Sequence, residues 1–136
     1  MKTTKLSEYA RLETIYFCLQ YGELLEELED IENTLRSPSP NNDRVMSSSN
    51  HSRVEDRAIK AQSKYNKIEC IRQGVKRACK KCPELSPYIL NAVTKEECTF
   101  DYLLMHGMPC CRNTFYRLKR KAYEEVNQLM TEKTNY

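Results

Sequence analysis

Residues 108–121 read Met-Pro-Cys-Cys-Arg-Asn-Thr-Phe-Tyr-Arg-Leu-Lys-Arg-Lys, and their residue types suit contact with nucleic acid. Arg carries a planar fork of donors that matches the edge of guanine. Asn can pair with adenine through its amide, and Lys neutralises phosphates. Spacing decides whether these groups share a surface. Phe115, Leu118, Ala122, Val126 and Leu129 recur at steps of three and four. On a helix they fall within an arc of roughly 80°. Asn113, Tyr116, Arg117 and Arg120 then lie on the opposite side, flanked by Arg112, Lys119 and Lys121. An apolar back and a polar, cationic front suit a helix laid in the major groove. The same pattern also describes an ordinary amphipathic helix with a solvated outer face.

The preceding residues favour the first reading. Thr99 is placed to cap a short helix over 99–106, with Phe100, Leu103 and Leu104 as its inner face. Gly107 supplies a stop, and Pro109 can open the next helix. Helix, tight glycine turn and basic helix is the order of a helix-turn-helix.

The run Thr99–Val126 resembles the C-terminal helix-turn-helix of phage late-operon transcription regulators of the RinA/ArpU/LtrC type. These are small proteins of phages and prophages in Gram-positive bacteria. Their recognition helix carries a Ser-x-x-Thr-[Phe/Val]-Tyr-Arg signature followed by basic residues. Cys111-Arg-Asn-Thr114-Phe115-Tyr116-Arg117 follows that signature, with Cys111 where Ser is usual. The resemblance is specific over about residues 99–130 and architectural elsewhere. It implies a sigma-region-4-like DNA-binding unit, in which Thr114 joins the residues named above as a candidate DNA contact. It further implies promoter binding that activates late genes, with bacterial RNA polymerase as a candidate partner. The residues themselves point only to DNA binding.

Composition agrees with a small binder. The chain has 136 residues, no Trp, three Phe, three Gly and 30% charged residues, so a large core is not expected. No run alternates like a strand, and the expected fold is all-α. No apolar run approaches the roughly 20 residues of a membrane span, and no secretion signal is evident. A cytoplasmic location without membrane attachment is therefore expected, and the resemblance implies that the cell is a bacterial host. No phosphate-binding glycine loop or nucleotide fingerprint is present. Neither His51 nor His106 forms a catalytic constellation, so neither enzymatic activity nor a cofactor is expected.

The net charge of +3 conceals a partition. Residues 1–36 hold four basic and eight acidic residues, whereas residues 53–82 hold ten basic and three acidic. We expect a long acidic helix over 1–36, a disordered Ser/Pro-rich loop over 37–52, and a long basic helix over 53–82. A C-terminal helix-turn-helix unit completes the chain over 83–136. In the first helix, Tyr9, Leu12, Tyr16 and Leu19 form one apolar seam. Tyr21, Leu24, Leu28, Ile31 and Leu35 form a second, with a change of phase near Gly22. In the basic helix the seam is Val54, Ala58, Ala61, Tyr65, Ile68, Val75, Cys79 and Cys82, interrupted by Arg72. Ser52 and Glu55 have the spacing of a capping box at its start. The two helices are expected to pair as a hairpin, or with a second copy as a coiled coil. A short helix over 85–93 then precedes the reader.

Seven cysteines are expected to be free thiols in a reducing compartment. Cys79-x-x-Cys82 has zinc-ligand spacing, and two from among Cys110, Cys111 and His106 could finish a tetrahedral site. No finger pattern matches that set, and no metal is expected. Two alternatives to the regulator remain on sequence grounds. One is a coiled-coil adaptor or phage packaging and assembly protein without sequence-specific DNA binding. The other is a zinc-stabilised interaction module.

Overall fold

The computed structural model describes residues 6–36 and 48–134, with side chains for 6–33 and 55–132. Among these residues every regular element is helical. The order is α1 (Glu8–Leu19), α2 (Tyr21–Arg36), α3 (Ser48–Ala78), a 3-10 turn (Pro83–Leu85), α4 (Ser86–Thr94), α5 (Phe100–Met105) and α6 (Arg112–Thr134). No helix among the described residues is long and apolar enough to cross a membrane.

The single helix expected over 1–36 is two helices. Ser7 caps α1 by accepting from the Ala10 N–H at 3.1 Å. α1 ends at Leu19, and the N–H of the capping Gln20 turns back to the Phe17 carbonyl at 3.2 Å. The break coincides with the change of seam phase. One straight helix could not keep both seams on one side.

The chain divides into two compact units. Residues up to Tyr21 join those from Glu69 onward, and Gly22–Ile68 form the other. In the second unit Leu24 and Ile68 are buried, and Lys64 pairs with Glu27 at 3.3 Å. That exposed pair contributes about 0–1 kcal/mol.

The first unit holds the core on which α6 is seated. Its α6 stripe is the expected one: Phe115, Leu118, Ala122, Val126 and Leu129 are all buried. Burying a side chain such as Phe115 contributes about 1.5–3 kcal/mol. Ile71, Val75, Ile89, Val93, Phe100 and Leu103 complete the core. α1 belongs to this unit, but through a face other than the expected seam. Tyr9 is 82% exposed and Tyr16 is 64% exposed, whereas Thr14 and Cys18 are fully buried. Asn127 of α6 donates to the Thr14 hydroxyl at 3.0 Å, so small residues bring α1 against α6.

α3 begins at Ser48, inside the expected loop, so Ser52 lies within the helix instead of capping it. Residues 37–47 of that loop fall outside the described residues. α3 ends at Ala78 rather than residue 82. Its buried face over the last turns is Ile71, Gly74, Val75, Ala78 and Cys79, while Ala58 and Tyr65 are exposed. The close approach of α3 to α6 occurs at Gly74. A Cβ built there would stand 2.8 Å from the Val126 backbone nitrogen, so only glycine fits without displacement. Arg72, the interruption in the seam, stays exposed and donates through Nε to the Tyr21 hydroxyl at 2.8 Å. Its guanidinium lies 5.8 Å from the centre of that ring.

Candidate nucleic-acid interface

The segment from α5 to α6 is built by local rules that can be read residue by residue. Thr99 caps α5, its hydroxyl accepting from the Tyr102 N–H at 3.3 Å. At the other end Gly107 adopts φ +93°, a conformation that favours glycine. The Met108 N–H then bonds to the Leu103 carbonyl at 3.0 Å, and the Gly107 N–H bonds to that of Leu104 at 3.2 Å. These are the paired bonds of a Schellman ending, and the buried Met108 and Leu103 supply its apolar contact. Leu104, expected on the inner face, is instead 49% exposed, because Phe100, Leu103 and Met108 fill that side.

α6 starts at Arg112, so Pro109 lies in the turn and not in the helix. The Cys111 carbonyl accepts from the Phe115 N–H at 3.0 Å, and its sulfur lies 3.3 Å from Thr114 Oγ1. Bonds from the Thr114 hydroxyl and the nearby backbone hold the Cys111 thiol below its usual range. Burial and the neighbouring Cys111 push Cys110 the other way. Phe115 packs on Phe100 with ring centres 5.4 Å apart, joining α5 to α6.

The eight candidate contacts take several distinct positions. Asn113, Arg117, Arg120 and Lys121 are exposed. Tyr116 is 44% exposed and meets Phe115 edge-on at 5.0 Å. Arg112 is exposed but engaged, pairing with Asp101 at 3.4 Å and lying over the Phe100 ring at 4.7 Å. Thr114 is half-buried and turned toward Cys111. Lys119 is half-buried, its ammonium 5.9 Å from the Phe115 ring, and burial lowers its pKa. Its place four residues after Phe115 was the signal for that inward position.

Sequence reasoning missed three participants. Asp101 is the acidic partner of Arg112. Arg11 of α1 and Lys95, just after α4, line a cleft that also takes in Tyr116, Lys119 and Arg120. No local pattern reveals them, because they come from distant parts of the chain. Among the described residues no three His, Cys, Asp or Glu side chains are grouped to hold a metal ion, and all seven cysteines are free.

The arrangement leaves a row of hydrogen-bond donors on the first three turns of a helix fixed from behind by its apolar stripe. Groups of these kinds are able to bond to base edges, through forks and amides, and to phosphates, through ammonium groups. No protein-family model matches the chain, and no curated protein or solved structure is similar to it.

Proposed function

We propose that this protein is a non-enzymatic transcription regulator that binds double-stranded DNA sequence-specifically. α5, the Gly107 turn and α6 act as a helix-turn-helix. α2 and α3 pair as a hairpin, or with a second copy as a coiled coil. Asn113, Arg117 and Arg120 read bases, Tyr116 supports them, and Lys121 contacts phosphate. Arg112 reaches phosphate by exchanging its Asp101 partner. Thr114 orders the start of the helix through Cys111, and Lys119 contributes at the edge of the surface. The resemblance of residues 99–130 to phage late-operon regulators adds three further parts of this reading. They are activation, late genes as targets and polymerase as a partner.

One observation carries the proposal. The helix that buries Phe115, Leu118, Ala122, Val126 and Leu129 without exception leaves Asn113, Arg117, Arg120 and Lys121 uncovered. α1 packs on α6 at Asn127 and borders Tyr116, Lys119 and Arg120 across a cleft, whose lining does not include Asn113, Arg117 or Lys121. Base contacts by the N-terminal residues of the second helix are the usual docking geometry of this motif.

Selection of duplexes from a random pool by the full chain tests the proposal. The full chain is required because Thr14 of α1 packs on α6. The expected result is enrichment of one motif, with affinity that falls steeply with salt. Retention without a motif, or none at all, would instead favour an adaptor that assembles with other proteins.

A further inference from the structure

We propose that the cleft between α1, the segment after α4, and α6 is a binding site for an amphipathic organic anion. The ligand would have an aromatic or acyl body and a single anionic head.

The cleft has a volume of about 800 Å³. That is within the range of roughly 300–1,000 Å³ typical of small-molecule sites. Its apolar lining comes from Leu12, Ile15, Leu19 and Ala92. A hydrated ion or a DNA phosphate gains nothing from such a surface, whereas a hydrocarbon body gains from every apolar contact. Tyr16, Tyr116 and Tyr123 add rings that accept flat ligands edge-on or stacked. Burial pushes the Tyr123 hydroxyl up to about 12, so it stays a neutral donor well into the alkaline range.

Charge completes the argument. Arg11, Lys95, Lys119 and Arg120 line the cleft against two carboxylates, Glu96 and Glu124. Lys119 matters most. It is half-buried, its ammonium lies 5.9 Å from the centre of the Phe115 ring, and it forms none of the ion pairs among the described residues. A partly desolvated cation without a counter-ion is costly, and an anion brought in on an apolar body relieves that cost.

The site does not depend on DNA, so its test uses protein and probe alone, and its failure is separable from that of the regulator reading. The full chain is titrated with 8-anilinonaphthalene-1-sulfonate, an aryl sulfonate, and with neutral N-phenyl-1-naphthylamine. The sulfonate should bind saturably at one site and shift the methyl resonances of Ile15 and Ala92. Lys119→Gln should weaken the sulfonate about tenfold while changing the neutral probe less than about twofold. Leu12→Glu, at a position that is 38% exposed, should weaken the sulfonate by at least as much. Circular dichroism checks that both variants are folded. Unsaturable binding, shifts elsewhere, or equal sulfonate affinity in wild type and Lys119→Gln would overturn the proposal. Loss of probe binding as protein concentration rises, with dimers seen by sedimentation, would also overturn it, by assigning the cleft to a second copy.

Discussion

The Asn127 amide donates to the Thr14 hydroxyl at 3.0 Å, and that hydroxyl donates onward to the Ala10 carbonyl at 2.8 Å. Thr14 is fully buried, so its hydroxyl is used as both acceptor and donor where water does not reach. Thr14→Val keeps the shape but removes both bonds. We expect a loss of about 1–3 kcal/mol, because the Asn127 amide is left without its partner. Chemical denaturation measures it. An unchanged midpoint would mean that α1 is held by apolar contact alone.

On the proposal that α6 binds DNA, Arg117→Ala should cost about 1–3 kcal/mol of discrimination at one base pair, measured by competition between duplexes. Lys121→Ala should weaken all duplexes alike and flatten the salt slope by about one. Lys119→Ala should flatten it less, since Lys119 is half-buried beside Phe115. If Arg117→Ala leaves both affinity and preference intact, α6 does not enter the groove in this orientation.

Stability should fall at alkaline pH. Burial pushes the Cys18 thiol from 9.0 up to about 12, and the Tyr123 hydroxyl from 10.0 up to about 12. Between the unfolded and folded values the native state holds protons that the unfolded chain releases. The contribution of each group is therefore complete below its unfolded value and is lost as pH rises to about 12. Each titrating group adds a slope of about 1.4 kcal/mol per pH unit. Cys18→Val should make the decline shallower above pH 9 and leave the neutral range free of any added slope. An identical alkaline limb in the variant would exclude Cys18 as a source.

Thiol chemistry should be ordered by position. Cys111 is exposed, and its thiolate is stabilised at the start of α6. Cys18 and Cys79 are buried, with thiols raised to about 12 and about 11. Brief treatment with iodoacetamide should label Cys111 first and spare those two, as read by peptide mass spectrometry. Early labelling of Cys79 would show that the end of α3 opens readily.

The legible parts of this fold lie close together in sequence. The α6 stripe, the Thr99 cap and the Gly107 stop each depend on residues within a turn or two, where spacing translates directly into geometry. The face of α1 was illegible for the opposite reason. Tyr9, Leu12 and Tyr16 form the more apolar stripe, yet burial goes to Thr14 and Cys18, chosen by a partner 113 residues away. Likewise the outward row of Asn113 and Arg117 followed from helical phase. The pairing of Arg112 with Asp101, and the arrival of Arg11 and Lys95 beside α6, required the assembled structure.

The contact of Gly74 with Val126 gives the chain a molecular fingerprint. A side chain at that point would prise α3 from the helix carrying the basic row, so descent with this architecture is constrained to leave the position bare even as charges and loops drift. Distant kin can accordingly be sought by a lone glycine late in a long basic helix, matched with a downstream apolar stripe. Homologues that keep the stripe but place a bulky residue there must seat those two helices differently.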